Sequence, residues 1–178
     1  MPKKVLLAGL MNPGDKYRFT RHNAGAMALD EVFPGVTYSP NKALEAHTGQ
    51  SEEGDMLFFF LKPQTFMNLS GQSVVKAMKK HNVEASHLIV LHDEVELPVA
   101  EVRYKFGGGH KGHNGLRSIM AVIGTGDFHR IRIGVGRPAD DSHGIADYLL
   151  AFQPESQRAK KAQLLPALEM ALKAINNA

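Results

Sequence analysis

Short apolar runs recur along the chain with helix-patterned segments between them, and this alternation constrains the fold more than any other feature. Val5–Leu10, Met56–Leu61 and His87–Leu91 are near-continuous apolar runs of strand length, and His129–Gly136 alternates. Unbroken apolar runs of this length mark strands buried on both faces, as in parallel sheets. Between them, Ala24–Phe33 places Ala24, Met27, Ala28 and Val32 at helical spacing. Ser70–Lys80 sets Val74, Val75 and Met78 opposite Lys76, Lys79 and Lys80, and Leu116–Ile123 is also helical. Glu101–Phe106 alternates before three glycines, an edge strand is expected around Leu44–Thr48, and Lys62-Pro63 should stop the strand before it. From Glu155 the tail is helical, with Leu165, Leu168, Leu172 and Ile175 as its apolar stripe; Pro166 should kink it or mark its first turn. The pattern predicts an α/β fold: one domain over residues 1–178, a three-layer sandwich with a mixed, largely parallel twisted sheet flanked by helices.

Composition narrows the function classes. The 178 residues are 43% apolar, enough for one sizeable core, and no apolar run approaches the roughly 20 residues that span a bilayer. Lys3, Lys4 and the run after them superficially suggest a secretory signal, but the run breaks at Asn12-Pro13-Gly14, so a buried first strand is the better reading. Cysteine is absent, which excludes disulfides, cysteine zinc sites and a thiol nucleophile and is compatible with a reducing cytoplasm. Lys and Arg total 21 against 18 Asp and Glu, a net charge of +3 that hints weakly at an acidic partner.

Position says more than charge. Asn12, Asn68 and Asp93 each follow a predicted strand, and Asn114 follows the glycine run after Glu101–Phe106. Singly, each suits an ordinary turn. In parallel neighbours, all four converge on the crevice beyond the strands' carboxyl ends, where α/β sheets bind ligands. His22 stands at the mouth of the first helix, where the helix end disfavours a cation unless an anion such as Asp93 compensates. A carboxylate-held imidazole keeps one nitrogen free to take a proton; the alternative is a capping or structural histidine. His92, Asp93, His110 and His113 could instead serve a metal-dependent phosphoesterase, but no HExxH spacing supports a metal. Ser70 lacks a Gly-x-Ser-x-Gly setting, and Gly107–Gly115 lacks the ending of a nucleotide phosphate loop. Strand alternation puts Arg103 with Lys105, and Arg130 with Arg132, as solvated charges or as a small phosphate patch.

Taken together, these segments resemble bacterial peptidyl-tRNA hydrolases. The resemblance is carried by Gly9-Leu10-Met11-Asn12-Pro13-Gly14, Tyr17, Thr20-Arg21-His22-Asn23-Ala24-Gly25, Lys62–Gly71, His92-Asp93-Glu94, Gly107–Leu116 and Phe128–Gly134, in order and spacing. It implies hydrolysis of the ester joining a peptide to the 3′ ribose of tRNA, in the cytoplasm, by a monomer, with no cofactor, metal, covalent intermediate or membrane. His22 would be the general base and Asp93 its orienting partner. Asn12, Tyr17, Phe66, Met67, Asn68, His113 and Asn114 would bind the substrate, and Arg103, Lys105 and Arg132 its phosphates. Lys111 stands where the family more often has a small residue. A relative that binds RNA but has lost the chemistry is disfavoured, because His22, Asp93, Asn12, Asn68 and Asn114 are all present.

Overall fold

The computed structural model describes residues 1–139 and 144–178. Seven strands form one sheet: β1 (Lys3–Gly9), β2 (Ser39–Asn41), β3 (Ala46–Glu53), β4 (Met56–Pro63), β5 (Leu88–Glu94), β6 (Val102–Phe106) and β7 (His129–Gly134). Their order is β2-β3-β4-β1-β5-β7-β6. The central pairs β4–β1, β1–β5 and β5–β7 are parallel, while β2 and β3 on one side and β6 on the other run antiparallel to their neighbours. Apolar runs became central strands and alternating ones lie toward the margins, as double-sided burial requires.

Helices α1 (Ala24–Val32) and α5 (Lys161–Asn177) cover one face, and α2 (Ser70–His81) and α3 (Asn114–Ile123) the other; the short α4 (Gly144–Leu149) adds Tyr148 and Leu149 to the edge of the α1–α5 side. Along β1 the side chains divide by parity: Val5 and Leu7 pack beneath α1 and α5, Leu6 and Ala8 beneath α2 and α3. The α5 stripe is rotated one position from expectation, for Leu164, Ala167, Leu168, Ala171 and Ile175 are buried while Leu165 and Leu172 flank them. Pro166 lies inside α5, past its first turn and facing outward. Lys3 donates through Nζ to the carbonyls of Ile175 (3.2 Å) and Asn176 (2.6 Å), so a lysine at the start of β1 caps the end of α5.

Some boundaries differ from the sequence reading. The segment around Leu44–Thr48 is not an edge strand but part of a β2–β3 hairpin whose outer strand is β2. Lys62 and Pro63 belong to β4, because Pro63 occupies the last position, where a missing N–H costs little. Asp93 lies within β5, which runs on to Glu94 through its pairing with β7.

Close backbone approach fixes α1 over the ends of β1 and β5. A Cβ on Gly25 would sit 2.1 Å from the Leu91 carbonyl oxygen and 2.7 Å from the Leu10 nitrogen. A Cβ on Gly9 would meet the Gly25 oxygen at 2.7 Å. Only glycine fits at either position, and the contact carries the turn just before α1 onto the carboxyl end of β5.

Candidate active site

That turn, a 3-10 turn over Arg21–Asn23, places His22 against Asp93. Nδ1 of His22 lies 2.8 Å from Oδ2 of Asp93, and Nε2 of His113 lies 2.9 Å from Oδ1. Asp93 is 2% exposed. The neutral tautomers follow from the bonding. His113 precedes α3, and its Nδ1 accepts the backbone N–H groups of Gly115 (3.1 Å) and Leu116 (3.2 Å), so its proton is on Nε2 and is donated to Asp93. His22 makes no capping bond; its Nδ1–H points to Asp93, and Nε2 is the nitrogen left for the cavity. The capping alternative for His22 at α1 is not what its ring does; the capping histidine of this site is His113, at α3.

Burial opposes charge on His22, Asp93 and His92. In His22 it is outweighed by attraction to Asp93 and by the hydrogen bond, so the pKa is raised above the ordinary 6.5. Burial also disfavours the Asp93 carboxylate, but His22 and His113 together hold it well below the usual range. His92, fully enclosed and beside His113, is pushed down to about 3 and stays neutral; its Nδ1–H donates to the Asp93 carbonyl at 2.8 Å.

The pair opens on a cavity of about 560 Å³. Asn12, Phe66, Met67, Asn68, His113 and Asn114 line it with His22 and Asp93, so six of the substrate-binding residues suggested by the sequence meet at one place. Asn12 is clamped: its backbone N–H donates to Asn23 Oδ1 (2.9 Å), Asn23 Nδ2 donates to its carbonyl (3.0 Å), and its own Oδ1 accepts from Met67 N–H (2.7 Å). Its NH₂ is then the group presented to the cavity. Asn68 and Asn114 are exposed and, among the described residues, make no side-chain hydrogen bond, whereas Met67 is buried. Residues of α4, Ile145 and Leu149 among them, form the opposite wall.

Tyr17 lies apart. It is half-buried in a turn before His22, with Lys16 Nζ 4.8 Å from its ring centroid, and does not line the cavity. The expected phosphate residues divide as well. Lys105 and Arg132 border a small hollow with His110, Lys111 and Arg130, where burial and repulsion from Lys111, Arg132 and Arg130 lower the Lys105 pKa. Arg132 also pairs with Glu94 at 3.1 Å. Arg103 pairs across the strands with Arg132 but is exposed and bonded to Glu101 at 3.2 Å, outside that hollow. Arg130, expected beside Arg132 as a solvated charge or part of a phosphate patch, is instead buried and ties the glycine loop, at the carbonyls of Gly109 (2.5 Å) and Gly108 (2.7 Å), to that of Gly126 (3.0 Å). Within that loop Lys111 takes a left-handed φ of 47°, which suits the smaller residue expected there.

Among the described residues, the His/Asp/Glu group that could hold a metal is His22, Asp93 and His113, not the set with His92 and His110. Both histidines point N–H groups at separate oxygens of one carboxylate, an arrangement built for hydrogen bonds, and a metal would have to replace both protons. His110 is engaged elsewhere, accepting from Gly112 N–H at 3.0 Å. Ser70 is buried, its hydroxyl donating to the Met67 carbonyl at 2.8 Å, which leaves no nucleophile there.

Fold and site together define a class: an α/β sandwich with a histidine–carboxylate pair at the carboxyl ends of its strands, facing a cleft walled by carboxamides and bordered by cations. The peptidyl-tRNA hydrolase family model matches residues 6–178. The chain is 49% identical over 165 residues to a peptidyl-tRNA hydrolase of Geobacter metallireducens, covering 92% of this chain and 81% of that one. It is 48% identical over 155 residues to one of Geotalea uraniireducens, with 84% and 78% covered. The crystal structure of peptidyl-tRNA hydrolase from Acinetobacter baumannii superposes with a TM-score of 0.82 at 32% identity, over 99% of this chain and 96% of that one. The chain belongs to the peptidyl-tRNA hydrolase family. Among the described residues, no helix is long and apolar enough to cross a membrane.

Proposed function

We propose that the site hydrolyses the ester between an N-blocked aminoacyl or peptidyl group and the 3′ ribose of tRNA, with His22 as general base. The observation that carries this reading is the Asp93 bridge, which orients His22 Nδ1 at 2.8 Å and leaves Nε2 for the cavity. Water in the cavity gives its proton to Nε2 as its oxygen attacks the acyl carbon. Asp93 stabilises the resulting imidazolium. The carbonyl oxygen gains negative charge, which in this reading is received by the NH₂ groups of Asn68 and Asn114 in the cavity lining. When the carbon–oxygen bond to ribose breaks, His22 returns the proton to the departing oxygen, and carboxylic acid and tRNA separate. An alcohol leaves more easily than an amine, so a base and an oxyanion site suffice without a metal step.

Asn12 gives the substrate selection a physical basis. Because its oxygen is occupied by Met67 N–H, it offers only donors, and these pair with the carbonyl of a peptide or N-acyl group. The free ammonium of an aminoacyl-tRNA is itself a donor and would face this amide unpaired and desolvated. Phe66 is 57% exposed at the cavity wall and offers a face for the terminal base. Lys105 and Arg132 are the phosphate contacts this reading favours. We further take residues 1–178 to act as one domain and one monomer in the cytoplasm. The test is release of acid from N-acylated and free aminoacyl-tRNA by the purified protein. Selective cleavage of the blocked form supports the reading, and equal or absent cleavage removes it.

A further inference from the structure

Beside the α4 wall, outside the cavity, lies a second cluster of unusual chemistry. Two guanidinium groups stand over the exposed Phe19 ring, Arg18 at 5.0 Å and Arg158 at 4.6 Å from its centroid. Phe152, 62% exposed, meets Phe19 edge-on at 6.4 Å and lies 5.5 Å from Arg158. The cluster is held from beneath. Arg158 donates through Nε (3.0 Å) and Nη2 (2.9 Å) to the carbonyl of buried Gln153, and Gln153 N–H donates to the Phe19 carbonyl at 2.7 Å. Thr20 and Phe152 form an antiparallel bridge, and Arg21 N–H reaches the Ala151 carbonyl at 3.2 Å. Nothing in the hydrolytic reaction uses these groups.

Among the described residues neither Lys16, Arg18 nor Arg158 has a carboxylate within ion-pair distance; the nearby Glu155 is paired with Lys160 at 3.7 Å. An exposed aromatic pair flanked by unneutralised, pre-positioned guanidiniums complements a polyanion that also carries flat rings. The surface is continuous with the site, since Phe19 is three residues from His22 and Phe152 two residues from Leu150, a cavity-lining residue. It lies on the segments Lys16–Arg21 and Tyr148–Arg158, apart from Lys105 and Arg132 on β6 and β7. We propose that Arg18, Phe19, Phe152 and Arg158 form a second RNA-contacting surface, which grips the substrate's nucleic acid away from the scissile ester. The proposal rests on the reading of tRNA as the substrate. It adds to that reading a contact that a substrate reduced to the RNA 3′ end would not make.

The test compares the wild type with Arg18→Ala and Phe152→Ala, both at exposed side chains, on two substrates: full-length N-acetyl-aminoacyl-tRNA and a 3′-terminal trinucleotide carrying the same N-acetyl-aminoacyl ester. On the full-length substrate KM should rise about 5–20-fold in either variant with kcat unchanged, while the trinucleotide is cleaved as by the wild type. Titration of deacylated tRNA should show the same loss of affinity, and for Arg18→Ala the log–log salt slope should become shallower by about 1. Unchanged tRNA affinity, or equal losses on both substrates, overturns the proposal. So does loss of binding to vesicles of one part phosphatidylglycerol to three of phosphatidylcholine with tRNA binding intact, which would make the patch a membrane contact. If the wild type cleaved neither ester, the hydrolytic reading would fail, while the deacylated-tRNA titration would still decide this surface.

Discussion

His113 caps α3 with one ring nitrogen and holds Asp93 with the other, at 2.9 Å. It is thus tied to the structure on both sides, with Nδ1 occupied by two backbone donors. The proton taken from water must go to His22, the other histidine on the same carboxylate and the one with a nitrogen facing the cavity. His113→Ala should therefore act in two ways. Loss of the cap costs about 1 kcal/mol of stability, and Asp93, bonded on one side only, positions His22 less firmly. We expect a Tm drop of a few degrees and a fall in kcat of about tenfold or more with KM little changed. A variant losing only stability would make His113 purely a cap.

The pKa directions set a pH dependence. As a base His22 works unprotonated, and its pKa lies above 6.5, so kcat/KM should rise with pH through an apparent value above 6.5. In Asp93→Asn the raising influence is gone and burial alone remains, so the rising limb should move to lower pH while the plateau falls by about 10²–10⁴. An unmoved limb would separate His22 from the titration. Stability follows by linkage. The raised His22 pKa contributes fully below 6.5 and fades as pH rises through the folded value. The depressed Asp93 pKa contributes fully above 3.8 and is lost as pH falls through its folded value. Both describe one interaction, whose contribution is full between pH 3.8 and 6.5. The Tm difference between wild type and Asp93→Asn should therefore be largest in that window and shrink on either side of it. A difference independent of pH would separate the pair from stability.

Gly25→Ala tests how the pair is brought together. The added methyl would collide with the Leu91 carbonyl at 2.1 Å and the Leu10 nitrogen at 2.7 Å, both backbone atoms that cannot rotate away. Alanine's better helix propensity, worth about 1 kcal/mol, does not offset a clash with two strands. The expected outcome is destabilisation of about 1–3 kcal/mol, read by denaturant unfolding, together with a kcat loss as α1 lifts His22 from Asp93. Full activity and stability would show that this packing is soft.

How much of this was legible in the sequence depends on range. Unbroken apolar runs such as Met56–Leu61 announced the central strands, because burial on both faces leaves no polar position. Asn12, Asn68 and Asp93 could be placed at one edge because strand ends are readable, Asn114 by the glycine run before it and His22 by the helix it precedes. Side-chain direction was not. Nothing local says that His113 reaches back to Asp93, that Asn23 clamps Asn12, or that Arg130 turns inward to three loop carbonyls. Each is a contact between segments distant in the chain or a choice of ring nitrogen. The β2–β3 hairpin was reduced to one edge strand around Leu44–Thr48, because β2 has three residues and is largely exposed, while the eight residues of β3 carry no apolar alternation.

Asn12→Asp addresses selectivity with almost no change of shape. In the wild type the carboxamide oxygen accepts Met67 N–H at 2.7 Å, which turns the NH₂ toward the substrate. Aspartate keeps that acceptor but presents a second oxygen, carrying negative charge, in place of the donors. A peptide carbonyl would then meet an acceptor and lose its partner, whereas an ammonium group would gain one. Cleavage of N-acylated aminoacyl-tRNA should fall by about 10–100-fold, as for a lost hydrogen bond that leaves buried groups unpaired. Cleavage of free aminoacyl-tRNA should fall much less or rise, so the ratio of the two kcat/KM values narrows. Nearby Asp93 opposes a second buried carboxylate, so the variant's rates are measured across pH 6 to 9, where Asn12→Ala serves as the uncharged control. If both substrates lose rate equally in both variants, Asn12 supports the cleft without choosing what enters it.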